Sequence, residues 1–252
     1  MRLLWIGAHP DDEQFVAPWL GALSASGKAE CGFLVATRGE SGECLLPLPR
    51  GEDLGRVRER EMRAAAALFG GEVWFANCRD AAALTPDAVL RAWTAEAGGM
   101  RALRRRFASI IEAYAPDRIV TFEWRHGCTW HADHRAIAIL VQQLALPLPV
   151  TFAQSRVTLL DPIAVTAGSP SATAMDVRST WDYLIRDLEC HRTQFAPETV
   201  DLFRRASEDQ RVVWLQHRGP WRPWHRPLQA ALRMAVRAKE RMHNAIRDPS
   251  PG

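Results

Sequence analysis

Leu3-Leu4-Trp5-Ile6-Gly7-Ala8-His9-Pro10-Asp11-Asp12-Glu13 joins a nearly unbroken apolar run to an imidazole and three carboxylates. A run that is apolar throughout, rather than at alternate positions, reads as a strand covered on both faces, as in a parallel sheet. The charges crowd where that strand ends. Adjacent carboxylates repel and are costly to take out of water unless something positive lies among them. A divalent cation meets that need. His and Asp are good ligands for zinc, and a spare carboxylate beside a metal-bound water is a ready general base.

Outward from this stretch, strand and helix signals alternate. Asp11 or Asp12 is placed to cap a helix running to about Ser26 and closed by Gly27. Residues 31–37 form a second apolar run, followed by a loop rich in Gly, Pro and Glu over 38–53. A helix is expected over 54–69, ended by Gly70-Gly71, then a short strand over 73–76. Residues 86–114 read as mostly helical with a break at Gly98-Gly99. A strand follows over 119–122, then a helix over 133–146 stopped by Pro147, a strand over 151–160 and a helix over 179–190. The pattern predicts an α/β fold: a Rossmann-like, mostly parallel sheet with helices on both faces. Residues 1–218 are expected to form this domain. Residues 219–252, with Trp221, Trp224 and several prolines before a basic amphipathic stretch, are expected to form a C-terminal helical extension. That helix would pack on the domain or on a second subunit of a homo-oligomer. The alternative is peripheral contact with an anionic membrane through its basic face and tryptophans.

Bulk properties exclude more than they specify. With 252 residues and a formal charge of +3, the chain suits a soluble globular protein and does not call for a nucleic-acid partner. Of 32 basic residues only Lys28 and Lys239 are lysines, a bias better explained by genome composition than by recognition. No secretory signal and no membrane-length apolar stretch is visible, and five scattered cysteines without a CxxC pair suggest neither a disulfide framework nor a cysteine–zinc site. The cytoplasm is the expected compartment.

A second cluster, His131-Ala132-Asp133-His134, follows the strand over 119–122 and opens a helix. In open α/β sheets, ligands bind beyond the carboxyl ends of the strands. Both clusters therefore fall on one rim of one sheet. A catalytic zinc takes three protein ligands and keeps one position for water. His9, Asp12, His131 and His134, with Asp11 and Asp133, offer more groups than that, and spacing does not choose among them.

Ala8-His9-Pro10-Asp11-Asp12-Glu13, Thr37-Arg38-Gly39-Glu40-Ser41-Gly42-Glu43 and His131-Ala132-Asp133-His134 together resemble the PIG-L/LmbE family, zinc-dependent N-deacetylases of N-acetylglucosamine derivatives. The likeness continues through Arg58-Glu59-Arg60-Glu61, Asp80 and His191-Arg192-Thr193-Gln194, spanning about residues 1–195. It implies a small-molecule N-acyl amino-sugar substrate and a zinc ion held by His9, Asp12 and His134. It implies that Asp11 is the general base. His131, as an imidazolium oriented by Asp133, would polarise the oxyanion or protonate the leaving amine. Arg58 and Asp80 match positions that contact the sugar, although a salt bridge of Arg58 with Glu59 or Glu61 on a helix face is the plain alternative. Glu13 would support the turn, Glu40 and Glu43 would line the pocket or face water, and His191 would buttress the site or serve the core.

The chain also departs from the family. Arg125 to Trp130 is bulkier than the glycine-rich segment common there, Thr129 stands where some relatives carry tyrosine, and Trp124 and Trp130 could wall a sugar site. These differences bear on the substrate. A close variant of the reading is an amidase of a larger sugar–thiol conjugate, and another is a non-catalytic metal-binding descendant. The two-His-one-carboxylate triad of iron oxygenases is disfavoured because those sites sit on antiparallel barrels. A nucleotide-binding Rossmann domain is disfavoured because the first turn lacks GxGxxG and its carboxylates would repel a pyrophosphate.

Overall fold

Strand β1 (Arg2–Gly7) runs through the middle of a seven-stranded sheet in the computed structural model, which describes residues 1–80, 83–157 and 165–219. Leu3, Leu4, Trp5 and Ile6 are all buried, so both faces of the strand are covered. β2 (Glu30–Val35) lies parallel along one edge of β1 and β4 (Arg118–Phe122) along the other. β3 (Glu72–Phe75) extends the sheet beyond β2, and β5 (Val150–Ala153) extends it beyond β4, both parallel. Two antiparallel strands, β8 (Thr173–Asp176) and β9 (Val212–Arg218), complete the order β3-β2-β1-β4-β5-β9-β8.

The strand order reverses between β1 and β4. The chain builds outward from β1 through β2 and β3, then returns to lay β4 on the other edge of β1. The connections leaving β1 and β4 therefore part in opposite directions and leave a crevice at their carboxyl ends. The helices form two packed groups: α1 (Ala17–Ala25), α2 (Leu54–Ala67), α6 (Asp182–Cys190) and α7 (Pro197–Arg204), and separately α3 (Pro86–Glu96), α4 (Met100–Tyr114) and α5 (Ala132–Leu144). Local chemistry sets their ends. Asp53 caps α2 by accepting from Arg56 N, and Thr85 caps α3 by accepting from Ala88 N, with Pro86 in the first turn. Gly98 and Gly99 both adopt positive φ and separate α3 from α4 at the expected break.

Several expectations change. The helix expected from Asp11 or Asp12 to Ser26 is instead a 3-10 turn, Asp12–Phe15, followed by α1, and neither carboxylate caps it. Asp12 turns back to the N–H groups at the strand end, and Asp11 faces Arg58. The strand expected over 151–160 leaves the main sheet after Ala153, and Ser155–Arg156 (β6) pairs with Thr166–Ala167 (β7) in a separate ladder. Its last residues, 158–160, lie outside the described residues, as does the C-terminal extension from 220 onward. β9 and α7 were not expected at all. No helix among the described residues is long and apolar enough to cross a membrane.

Gly7 shows how tightly the strand end is built. A Cβ there would lie 2.7 Å from Trp5 Nε1 and 3.1 Å from Asp12 Cβ. Gly7→Ala is expected to cost about 1–3 kcal/mol through overpacking, read as a lower urea midpoint at unchanged slope; an unchanged midpoint would show that the turn yields freely.

Candidate metal centre and its cleft

The turn after β1 is organised by Asp12. Its Oδ2 accepts the N–H groups of Ala8 at 2.6 Å and His9 at 2.9 Å, donors that the strand leaves unpaired as it ends. Asp11, just before it, is held at φ 102°, a conformation costly for a residue with a Cβ. Its Oδ2 accepts from Arg58 Nη2 at 3.1 Å, and the same nitrogen donates to Pro10 O at 2.6 Å. Arg58 Nη1 donates to Gly39 O at 2.9 Å. Arg58 is buried, and the helix-face alternative fails: Glu59 pairs with Arg38 and Arg63, and Glu61 accepts from Thr193.

The loop after β4 is organised by Glu123, whose carboxylate accepts the N–H groups of Arg125, His126 and Gly127. Glu123 is not among the candidates that the sequence motifs single out; its signal is a carboxylate directly after a buried strand. Gly127, at φ 53°, packs where a Cβ would lie 2.7 Å from His134 Cβ. Its carbonyl accepts from His134 Nδ1 at 2.9 Å, and the Phe122 ring stacks on the imidazole with centroids 4.3 Å apart. A carbonyl can only accept, so the Nδ1 proton is fixed there and a neutral His134 presents a lone pair at Nε2. That atom lies 2.9 Å from Asp12 Oδ1. Two electron-rich atoms face each other unless a proton or a cation lies with them.

His9 completes the arrangement. Its Nε2 donates to Asp133 Oδ2 at 3.2 Å, with Asp80 Oδ1 at 3.8 Å, and its Nδ1 lies 3.8 Å from Asp12 Oδ1. One expectation needs correcting here. The carboxylate of Asp133 does not orient His131; it reaches His9, because both residues open α5 and their side chains leave the first turn in different directions. The Asp133 backbone N–H reaches His131 Nδ1 at 3.4 Å instead. One ring nitrogen each of His9, His131 and His134 lies within 4.8 Å of the others, and so do ligand atoms of His9, Asp80 and Asp133.

The electrostatics follow from this crowding. Burial would lower the His9 imidazole, yet the hydrogen-bonded carboxylates of Asp12, Asp133 and Asp80 hold it well above its ordinary value. Burial would raise Asp12, yet His134 and His9 hold it well below. Burial raises the Asp11 carboxyl, with Arg58 opposing. His131, an exposed residue that lines the cleft, is pushed down to about 4 by partial burial of its ring and then by His134 and His9. Asp133 Oδ1 is buried without a hydrogen-bond partner. Carboxylate and imidazole donors turned inward with an orphaned oxygen fit a divalent cation, which has the borderline preference for N and O ligands that this set offers.

His9, Asp11, Asp12, Arg58, Asp80, His131 and His134 line one cleft of about 440 Å³, with Ser41, Phe15 and Thr129. Asp80 accepts from Ser41 N at 3.1 Å, and its own N–H donates at 3.0 Å to Glu40, which is exposed and does not line the cleft. Trp124 and Trp130 are exposed and line neighbouring surfaces, not this cleft. Below the floor, Glu13 accepts from His191 Nε2 at 2.6 Å beside Asp187, and none of the three is exposed.

A parallel sheet with an acid–imidazole centre at its switch point defines a class of metal-dependent α/β proteins. Residues 4–145 match the GlcNAc-PI de-N-acetylase (PIG-L) family, and the chain belongs to that family. It is 33% identical over 164 residues to 1D-myo-inositol 2-acetamido-2-deoxy-alpha-D-glucopyranoside deacetylase of Nakamurella multipartita, covering 58% of this chain and 55% of the relative. The chain spans about half the length of the curated relatives it matches. Among solved structures, N,N'-diacetylchitobiose deacetylase from Pyrococcus horikoshii is similar at TM-score 0.58 and 16% identity, covering 86% of this chain and 83% of the other. GalB, a 4-carboxy-2-hydroxymuconate hydratase from Pseudomonas putida, is similar at TM-score 0.60 and 16% identity, covering 87% and 96%. Likeness at this level shows the fold; a deacetylase and a hydratase on one fold mean that the reaction must be argued from the site.

Burial would lower His191, but Glu13 and Asp187 raise it to about 9 from an ordinary 6.5. A folded-state value above the ordinary one means that the stabilisation is fully present below about pH 6.5 and is lost as pH rises through about 9. The unfolding free energy should therefore fall across that window, and His191→Gln should fall less over the same range. Parallel profiles for the two proteins would remove His191 as the titrating group.

Proposed function

We propose that this chain is a zinc-dependent hydrolase that removes an acetyl or related acyl group from the nitrogen of an N-acetylglucosamine-type conjugate. The observation that carries the reading is the convergence of His9 Nδ1, Asp12 Oδ1 and His134 Nε2, each with its other polar atom already engaged. These three residues would hold the metal. When bound, it supplies Lewis acidity to a water molecule and to the amide carbonyl. Membership of the deacetylase family and a deacetylase relative at 33% identity support the choice of reaction.

The remaining steps belong to the chain's own side chains. Arg58 engages Asp11 Oδ2, which leaves Oδ1 to take the proton from the attacking water. The same carboxyl, now protonated, can return that proton to the departing nitrogen. His131 Nδ1 accepts from the Asp133 N–H, so a neutral ring carries its proton on Nε2 and can donate a hydrogen bond to the developing oxyanion. Asp133 keeps His9 oriented through Nε2. Asp80, Ser41 and the polar rim offer acceptors and donors to sugar hydroxyls.

The test is release of free amine from a panel of N-acyl amino sugars by metal-loaded protein. Asp11→Asn should lower kcat by about 10²–10⁴, while metal analysis still finds about one ion per chain. Substantial activity in that variant would remove Asp11 as the base. His134→Ala should lose the ion itself, measured by elemental analysis after dialysis; full retention would reassign the ligands.

A further inference from the structure

Beside the catalytic cleft lies a larger, mainly apolar cavity of about 660 Å³, which no step above uses. Among the described residues, Trp181, Leu184, Phe203 and Val213 contribute to its walls. Gln14, Phe15 and Thr129 line both spaces, so the two are neighbours through a shared partition. That partition touches the candidate metal centre: the Phe15 ring sits edge-on to His134 with centroids 6.2 Å apart, and Thr129 Oγ1 lies 3.2 Å from His134 Nδ1. The apolar space thus begins one side chain away from the atoms proposed to activate the amide.

The two sides of the centre differ in chemistry. Asp80 and Ser41 give the cleft polar groups suited to hydroxyls. Phe15 and the cavity beyond it form an apolar side. An amide has two substituents, a sugar on nitrogen and an alkyl group on the carbonyl carbon. With the sugar on the polar side, the alkyl group faces Phe15. Acetyl ends at its methyl and would leave that cavity unused, whereas a pocket of roughly 300–1,000 Å³ is the size that encloses whole small-molecule ligands. Resting on the hydrolase reading above, we infer that the cavity receives a medium-length linear acyl chain, making this chain a deacylase of N-(medium-chain acyl) amino sugars in preference to N-acetyl ones.

The inference is tested by comparing N-octanoylglucosamine with N-acetylglucosamine on the zinc-loaded chain. Burial of the longer chain should raise kcat/KM by about tenfold or more over acetyl. Thr199, on α7, lines the cavity and not the cleft. Thr199→Phe, checked for an unchanged Tm, should lower kcat/KM for the octanoyl substrate by about tenfold and change the acetyl value less than about twofold. If acetyl is hydrolysed and octanoyl is no better, or if Thr199→Phe lowers both equally, the inference falls and the hydrolase reading stands. If neither is hydrolysed, that reading falls. Binding then decides the cavity: quenching of tryptophan fluorescence by a bromo-substituted octanoate, relieved in Thr199→Phe, sustains an acyl site, and its absence overturns it.

Discussion

The carboxylate of Asp12 is bound on both of its edges, and the site depends on that. One oxygen gathers the N–H groups at the end of β1; the other faces His9 and His134. The group that closes the strand is therefore also the group that joins β1 to the first turn of α5. A buried carboxylate is tolerable only where such partners converge. They converge here because the strand order reverses between β1 and β4, which sets the ends of these two strands side by side with their outgoing chains parted.

Around this joint the charges are arranged in tiers. Arg58 crosses from α2 to bind a carbonyl of each adjoining loop as well as Asp11, so the strained turn is held from outside itself. Beneath it, Glu13, Asp187 and His191 form a closed group in which burial and Glu13 keep the Asp187 carboxyl well above the ordinary range. That shift relieves the repulsion that two neighbouring carboxylates would otherwise bring there. The consequence is a buried floor near Asp11 that joins the turn after β1 to α6 and the residue after it, an element far away in the chain.

What the chain discloses before folding follows from how local each signal is. The run from Leu3 to Ile6 announces a buried parallel strand because every residue in it is apolar, and Gly98-Gly99 announces a break because both residues adopt backbone angles that favour glycine. The clustering of His9 to Glu13 and of His131 to His134 is equally local. The partner of each side chain is not. Asp133 adjoins His134 and lies two residues from His131, yet its carboxylate serves His9, a contact settled only when α5 docks. Arg58 reads as a sugar contact or as a helix-face salt bridge, and its actual acceptors go unread because Gly39 O and Pro10 O are backbone groups of distant loops. β9 went unread for the same reason: Gln216, His217 and Arg218 dilute its apolar pattern, and its pairing is with strands far away in the chain.

That position of β9 has a consequence for how the molecule is made. It lies between β5 and β8, and its register with β5 places Arg218 opposite Val150. During synthesis the free edge of β5 exposes unpaired backbone groups next to β4, whose end carries the second half of the site, until residue 218 has left the ribosome. An open edge of this kind is where nascent chains pair wrongly with one another. The first five strands can assemble in parallel before then, but the sheet that supports the site is sealed on that side only by a segment delivered some sixty residues later, so termination ahead of residue 212 would leave an adhesive edge rather than a shorter domain.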